Sequence, residues 1–291
     1  MKKALRSASK DCETIALTTS YWRPGENYEL QILKALEGEV QNGDVVTISE
    51  KAISTAAGNI VDETPIRPCM LARFLAGLWM SIAWAYVLGT FCRLRKKTID
   101  RFKTYPIEEG SKHKQLALNE AGFLQALMHG SEGGIDGSNL PYSYVSLALK
   151  DAQEIAERIR EKIHAELSKN VVVMIVDTDK TYTYRNFHFT PRPNPIQGIQ
   201  SRGGVCAYLL GRFLKLKTRS TPIALSGSSF SAETALRIAE TANKARGYGA
   251  GRNVWDMAET FGVALTEVTW EMLEEVEHRP IVIVRPRRKN R

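Results

Sequence analysis

The residues with the clearest chemical potential come directly after an apolar run in the middle of the chain. Residues 171–176 are all apolar, and Asp177, Thr178 and Asp179 follow them. A continuous apolar run of this length is typical of a strand buried on both faces of a sheet. Ligands of open α/β sheets bind at the carboxyl ends of strands, where a carboxylate and a hydroxyl can hold Mg²⁺ against phosphate oxygens. An aspartate after a strand is equally often a turn former, so both interpretations of Asp177 stay open.

A second acidic segment, residues 132–139, reads Glu-Gly-Gly-Ile-Asp-Gly-Ser-Asn. Its glycines allow the backbone to approach a ligand closely, and Asp136 and Asn139 supply a carboxylate and an amide that can reach phosphate or base. A solvated surface turn explains the same glycines. Because hard divalent cations take oxygen ligands from different segments, Asp136 and Asp177 together indicate a metal site more strongly than either does alone.

Alternating helix and strand patterns must position these two segments. Apolar residues recur at three- and four-residue steps in 149–167, which predicts an amphipathic helix leading into the apolar strand. A short β-branched strand is predicted over 45–48, and further helices over 24–38 and 231–246. The alternation predicts a mixed α/β (α+β) protein whose mixed sheets are flanked by helices.

Two intervals between these elements lack periodicity and predict loops. Residues 49–59 are small and polar, which is typical of a loop that faces a ligand, and residues 100–115 are charged. With 291 residues, of which 43% are hydrophobic, the chain is long enough for one large domain or two ordinary ones. We place a boundary near residue 190, so that residues 1–190 form one part and residues 191–291 the other.

The charge balance indicates the class of partner. Lys and Arg number 40 and Asp and Glu 32, which leaves a net charge of +8. Such a mild surplus suits small anions such as nucleotides and carboxylates, whereas a nucleic-acid-binding protein shows a denser basic stripe with interleaved aromatic residues. No nucleic-acid partner is expected.

The cysteines and the N-terminal stretch indicate a cytoplasmic protein. Cys12, Cys69, Cys92 and Cys206 form no Cys-x-x-Cys pair and have no histidine at metal-ligand spacing, so reduced thiols are expected. Residues 1–14 are basic and lack the apolar stretch of a secretory signal. Export is therefore not expected.

Leu75 to Cys92 is an uncharged segment that approaches the length of a membrane-spanning helix. Its aromatic residues Trp79, Trp84 and Tyr86 stand in the middle, where spanning helices usually carry them at the ends. The segment is therefore expected to be a core or dimer-interface helix, with a membrane anchor as the alternative.

Several motifs together resemble one known family. Gly134 to Asn139 reads Gly-Ile-Asp-Gly-Ser-Asn, and about forty residues later an apolar strand ends in Asp177-Thr178, with an arginine after it. This order resembles the signature of the coenzyme F420-0:L-glutamate ligases. Further stretches are similar to the family in the same order along the chain: residues 23–26, 43–46, 49–61 and, more faintly, 224–247.

The resemblance implies a GTP-dependent amide ligase that adds L-glutamate to the lactyl carboxylate of a deazaflavin precursor through an acyl phosphate. It implies Mg²⁺ or Mn²⁺ as cofactor, because metals neutralise charge in phosphoryl transfer. The implied partners are GTP, L-glutamate and the coenzyme F420 precursor or another carboxylate. The fold would be the two-part fold of that family in a homodimer.

The same resemblance implies roles for residues of the acidic segments. Asp136 and Asp177 would be ligands of one divalent ion, Thr178 would contact a second, and Asn139 would touch the nucleotide. Lys51, as a nucleotide-binding residue, and Arg185, as a catalytic residue, would steady phosphate oxygens.

Departures from the family pattern leave an alternative open. Thr55 and Ala57 stand where the family has Lys and an acidic residue, and Gly227-Ser228 stands where it has Asp-Glu for the second metal. Arg185 is retained from a family motif, with one residue inserted before it. A paralogue that binds a nucleotide or deazaflavin-type ligand without turnover is the alternative to the ligase.

Overall fold

The computed structural model describes residues 4–8 and 12–287 of the chain. Parts of the N-terminal stretch on which the expectation about export rests lie outside the described residues. The strands are β1 (Ala4–Ala8), β2 (Cys12–Thr19), β3 (Val45–Ser49), β4 (Ile60–Asp62), β5 (Tyr144–Ser146), β6 (Val172–Tyr184), β7 (Phe187–Phe189), β8 (Lys217–Ser226) and β9 (His278–Pro286).

Helices connect and cover these strands. They are α1 (Tyr28–Leu36), α2 (Glu50–Ala56), α3 (Met70–Phe74), a π-helix (Leu75–Leu88), α4 (Gly89–Phe91), α5 (Lys96–Lys103), α6 (Ile107–Glu120), α7 (Phe123–Ala126), α8 (Ala152–Leu167), α9 (Val205–Phe213), α10 (Ala232–Arg246), α11 (Val254–Phe261) and α12 (Trp270–Glu274). The helices predicted over 24–38, 149–167 and 231–246 correspond to α1, α8 and α10.

One mixed sheet organises the described part of the chain. Its strands lie in the order β1-β2-β9-β3-β6-β7, with β8 paired to β6, while β4 and β5 form a separate ribbon. β3 and β6 are parallel, and their pairing ends where Ser49 lies opposite Val176. The predicted mixed α/β class is therefore confirmed. The two predicted parts of the chain both contribute strands to this sheet, and the boundary between them stays a prediction.

The central strand β6 has apolar side chains on both faces. Val173 and Ile175 pack into a core that includes α1 and α8. Met174 and Val176 pack on the other face, into a core that includes α10. A strand covered on both sides needs apolar residues at every position, which explains why this segment shows no alternation.

β6 continues through the acidic residues that were expected to follow its end. It runs to Tyr184, and its antiparallel pairing with β8 shifts register between Asp177 and Lys180. The prediction that the strand stops at Val176 is wrong, because β8 supplies a partner for the backbone of the polar residues. Asp177 nevertheless lies where the parallel pairing with β3 ends, which is the kind of strand end that the sequence argument required.

Both predicted loops contain helices. Residues 49–59 form α2, whose buried side chains include Ser54 and Thr55. Residues 100–115 belong to α5 and α6, and α6 buries Ser111 and Lys114. Apolar periodicity did not reveal these helices because tertiary contacts bury polar and small residues in them.

A long apolar helix, Met70–Phe91, is the kind of helix that could cross a membrane by length and composition, with a mean hydropathy of 1.5 and a third of its apolar window buried. One face, which includes Leu75, Met80 and Trp84, lies in two apolar cores. These cores belong to the helical layer, which is formed by α3, the π-helix and α4 to α7. The opposite face is exposed: Phe74, Leu78, Ile82 and Tyr86. The expected packing in the core is thus confirmed for one face of the helix. For the exposed face, contact with a second copy of the chain and contact with a membrane both stay predictions.

Substitution on the two faces of this helix distinguishes buried packing from exposed surface. Trp84 is fully buried, and its ring contacts Phe102, His129 and Tyr208. We expect Trp84→Ala to lower the free energy of unfolding by about 3–5 kcal/mol. Ile82→Ala, on the exposed face, should change it by less than about 0.5 kcal/mol. Urea unfolding of both variants measures this, and equal losses would contradict the arrangement of the helix.

Candidate active site

The site begins where the parallel strands β3 and β6 end side by side. After Ser49 the chain turns into α2, which places Glu50 and Lys51 in the first helical turn. After Val176 the bulged part of β6 presents Asp177 and Thr178. Adjacent parallel strands bring these two chain segments to one edge, as the sequence argument predicted for a ligand site.

Residues 132–139, here called the Gly-rich segment, reach the same edge through a contact with Lys51. The Lys51 ammonium pairs with the Asp136 carboxylate and donates hydrogen bonds to the carbonyl oxygen (2.9 Å) and the hydroxyl (2.6 Å) of Ser138. The other Asp136 oxygen accepts from the Ser138 backbone N–H at 2.7 Å. Asp136, predicted as a metal ligand, and Lys51, predicted as a nucleotide-binding residue, are therefore direct partners.

Arg192 is a buried residue of this site that was not predicted from the sequence. It is 2% exposed, and its Nε donates to Asp177 Oδ2 at 2.6 Å. A second nitrogen pairs with Glu50, and Nη1 donates to the Gly133 carbonyl oxygen at 3.0 Å. One guanidinium thus joins α2, β6 and the Gly-rich segment. The only signal in the sequence is a single arginine between two prolines, which has no pattern that points to burial.

The carboxylates around Arg192 outnumber the cation. Burial, with a contribution from the charge of Asp177, raises the pKa of Glu50 to about 7. Burial also raises the pKa of Asp179 well above its usual range, and the charges of Asp177 and Asp136 add to that shift. Burial lowers the pKa of the half-buried Arg246, and the negative charges of Asp177 and Asp136 partly offset this shift. The two carboxylates that were predicted to bind the metal therefore both act on the guanidinium of Arg246.

Two cavities meet at this cluster. The smaller, of about 400 Å³, is lined by Lys51, Asn139 and Asp177 among others. The larger, of about 690 Å³, is lined by Asp136, Asp179 and residues of the helical layer. Thr178 lines both cavities. Both volumes lie in the range that small-molecule sites occupy.

Asn139 and Arg185 differ from the other predicted site residues in what their side chains contact. The Asn139 side chain donates to the carbonyl oxygens of Tyr248 and Gly251 and accepts from Ala250 N–H at 2.7 Å, so it holds the loop 248–251 on the wall of the smaller cavity. Arg185 is exposed at the turn between β6 and β7, with its guanidinium 5.5 Å from the ring centre of Tyr184. The fold does not bring Arg185 to either cavity.

Residues 16–203 match the family described as F420-0:Gamma-glutamyl ligase. The matched span contains Lys51, Asp136, Asp177 and the newly identified Arg192. The chain belongs to this family. The family resemblance inferred from the motifs is confirmed, and membership of a ligase family supports a ligase-type enzyme.

Two relatives from Methanocaldococcus jannaschii place the chain within the family. It is 34% identical over 281 residues to the uncharacterized protein MJ1361, which covers 92% of this chain and 94% of that protein. It is 28% identical over 166 residues to a protein named coenzyme F420:L-glutamate ligase, which covers 57% of this chain and 59% of that protein. The chain is thus a divergent member of the ligase family.

Buried charges also hold the Gly-rich segment from the side of α6. Glu132, 1% exposed, pairs with Lys114 at 2.7 Å and with His113 Nε2 at 3.0 Å, while His113 Nδ1 pairs with Glu63 at 2.7 Å. Burial opposes a charged imidazole, but the two carboxylates outweigh it and raise the pKa of His113 well above its usual value. The sequence shows no partner for His113, because Glu63 and Glu132 are distant along the chain and only the packing of α6 brings them to the imidazole.

The donors at the junction of the cavities fit a small divalent cation in part. Among residues 4–8 and 12–287, no group of three or more His, Cys, Asp and Glu side chains is arranged to hold a metal ion. Mg²⁺, however, commonly uses only one or two carboxylates together with substrate phosphates and water. Asp179 Oδ2 is buried and has no hydrogen-bond partner among the described residues. An unpaired buried carboxyl oxygen beside Asp177 and Thr178 is a suitable environment for such a cation.

Gly134 makes the approach of the Gly-rich segment to Arg192 possible. Its φ is +96°, and a Cβ there would lie 2.6 Å from Arg192 Cζ. We expect Gly134→Ala to lower the free energy of unfolding by at least about 1 kcal/mol through backbone strain and displacement of Arg192. Gly130→Ala is the control, because its Cβ would meet no described atom within 4 Å. A similar urea midpoint for both variants would contradict this close approach.

The raised pKa of Glu50 predicts a dependence of stability on pH. A carboxyl whose pKa rises from 4.5 to about 7 on folding stabilises the protein below pH 4.5, and this contribution is lost as the pH rises to about 7. It amounts to about 3 kcal/mol at about 1.4 kcal/mol per pKa unit. The free energy of unfolding of Glu50→Gln relative to that of the wild type should therefore increase as the pH rises from 5 to 8. Urea unfolding at each pH measures this difference. Glu154→Gln, at an exposed position of α8, is the control. A constant difference between Glu50→Gln and wild type would contradict the assignment.

Proposed function

We propose that the protein is a GTP-dependent ligase that joins a carboxylate to the amino group of L-glutamate. The observation that supports this most directly is the junction of two cavities at Thr178, with Lys51 and Asp177 on one side and Asp136 on the other. A nucleotide and an acid acceptor bound in adjoining cavities would meet at this junction. Membership of the F420-0:gamma-glutamyl ligase family supports the same reaction type.

The reaction has two steps that need different groups. An acceptor carboxylate oxygen first attacks the terminal phosphorus of GTP, the bond to the bridging oxygen breaks, and GDP leaves. The amino nitrogen of glutamate then attacks the acyl carbon, phosphate leaves, and the nitrogen loses a proton to form the amide. Both steps place negative charge at the junction, where positioned cations stabilise it.

The smaller cavity is proposed to hold the triphosphate. Lys51 presents its ammonium there, and Arg246 and Lys180 line the same cavity. Asn139 is proposed to position the nucleotide through the loop 248–251, since its amide is already bonded to that loop. This differs from the direct contact that the family resemblance implies for Asn139.

Asp136, Asp177 and Thr178 are the residues proposed to hold Mg²⁺ or Mn²⁺. A bound divalent cation would neutralise phosphate charge and so make the terminal phosphorus accessible to an anionic nucleophile. Arg192 is proposed to act as a positioning residue, because it holds Asp177 and Glu50 in place through buried hydrogen bonds. A catalytic role of Arg185 is not part of the proposal, since that residue lies at the exposed β6–β7 turn.

A binding protein without turnover is the second candidate. Thr55, which stands where the resemblance expects Lys, lines the smaller cavity and uses its hydroxyl to bond the Lys51 carbonyl oxygen at 2.9 Å. This position therefore supplies no positive charge to a phosphate. Lys51 itself is paired with Asp136, so its positive charge is already partly neutralised before any phosphate binds.

An assay of product mass and nucleotide hydrolysis separates the two candidates. The protein is incubated with GTP, Mn²⁺, L-glutamate and coenzyme F420-0, and a ligase is expected to release GDP and yield a product heavier by one glutamyl unit. Asp177→Asn should reduce the rate at least about 10-fold, as loss of groups around a metal commonly does. Asp151→Asn, an exposed aspartate at the start of α8, should keep the rate. GTP binding without GDP release, with this and other carboxylate acceptors, would support the binding protein instead.

A further inference from the structure

The larger cavity has an outer wall that the catalytic proposal does not use. This wall consists of residues 93–101, which form the turn after the long apolar helix and the first part of α5. The larger cavity adjoins the smaller one, and both are lined by Ser131, Thr178, Lys180 and Arg252. The inner end of the larger cavity is thus at the proposed reaction centre, and the wall at 93–101 belongs to the helical layer.

Part of the positive charge at the outer wall has no acidic partner. Arg93 and Arg95 line the cavity with exposed side chains. Arg212 lines it from α9 and donates to the carbonyl oxygens of Cys92 (3.1 Å) and Arg93 (3.3 Å), which anchors it beside them. Within residues 4–8 and 12–287, no acidic side chain pairs with Arg93, Arg95 or Arg212.

Most acidic residues of the same cavity already have cationic partners. Glu63 and Glu132 are paired with His113 and Lys114, and Asp256 is paired with Arg101 at 2.9 Å. Asp136 is paired with Lys51. The remaining carboxyl groups of the cavity are the exposed Glu109 on the α6 side and the buried Asp179 at the inner end, away from the outer wall. The net field on the outer wall is therefore positive, which attracts anionic groups of a ligand.

Aromatic side chains line the same cavity as the arginines. Tyr105 and Trp255 lie with ring centres 6.1 Å apart, and the Arg101 guanidinium lies 5.7 Å from the Trp255 ring centre. The Tyr105 ring packs so closely on Gly110 that a Cβ there would lie 2.2 Å from it. Rigid rings that are fixed in this way suit a flat or apolar ligand body.

We propose that the larger cavity binds an acceptor acid with a flat apolar body and at least two further negative charges at the end remote from the reacting carboxylate. Arg93, Arg95 and Arg212 bind those remote charges and so determine which acceptor is used. The identification of this ligand as the acceptor rests on the proposed function. The binding of an aromatic polyanion does not.

Binding of simple aromatic acids tests this directly and needs no turnover. Benzene-1,3,5-tricarboxylate and benzoate are titrated into the full chain by calorimetry in the absence of nucleotide. The tricarboxylate is expected to bind at least about 10-fold more tightly than benzoate, since each charge-assisted hydrogen bond contributes measurably. Equal affinities would overturn the proposal.

Paired variants show where the tricarboxylate binds. Arg93→Gln with Arg95→Gln should weaken its binding at least about 10-fold. The matched control is Arg202→Gln with Arg237→Gln, which removes the same charge from two exposed positions outside both cavities and should leave affinity within about 2-fold. Equal weakening by the two pairs would mean that net charge alone attracts the probe, and the proposal would be wrong.

A blocking variant guards against binding elsewhere on the arginine surface. Thr98 lines the cavity on α5, and Thr98→Trp is expected to fill the space in front of the outer wall and abolish tricarboxylate binding. Unchanged binding in Thr98→Trp, with an unchanged melting temperature, would overturn the cavity assignment. Tight tricarboxylate binding without any GDP release would instead leave this inference in place and contradict the proposed ligase function.

Discussion

The buried guanidinium of Arg192 is the interaction on which the rest of the site depends. It bonds Asp177 on β6, pairs with Glu50 at the start of α2 and donates to the Gly133 carbonyl oxygen. A buried charge is tolerated only when its hydrogen-bonding groups are satisfied, so these three partners must stay within bonding distance of the guanidinium. Three chain segments distant in sequence are thereby held at one edge of the sheet.

This constraint also explains the electrostatics of the site. One guanidinium serves Glu50 and Asp177, while Asp179 is buried beside them with an oxygen that no described residue bonds. Burial and mutual repulsion raise the pKa values of Glu50 and Asp179. Perturbed carboxyl groups concentrated at the meeting point of two cavities are characteristic of catalytic sites, as expected for a member of a ligase family.

The helical layer is part of the site as well as its cover. Lys114 and His113 of α6 bind Glu132, the first residue of the Gly-rich segment, in a nearly dry environment. The same layer contributes the wall of the larger cavity at residues 93–101. Its packing therefore influences both the position of Asp136 and the shape of the space that an acceptor would occupy. This coupling gives a physical reason why the polar residue Lys114 is buried in α6.

Much of the fold and some of the site follow from the sequence by itself, because they depend on local patterns. The apolar run at 171–176 has no alternation, and that alone determined a strand covered on both faces; the periodicity of 149–167 likewise determined α8. The order of short motifs determined the family. Asp136 and Asp177 stood out because two carboxylates on separate segments can serve one divalent cation, which indicates a site more strongly than either does alone.

Only the tertiary structure decided how these residues are connected. Residues 49–59 and 100–115 form helices whose buried side chains are partly polar, so no apolar period reveals them. β6 continues past Val176 because β8 pairs with it, which a single strand cannot show. The Lys51–Asp136 pair and the burial of Arg192 join segments more than 50 residues apart. Long-range contacts of this kind follow from the packing of the whole sheet and leave no local pattern in the chain.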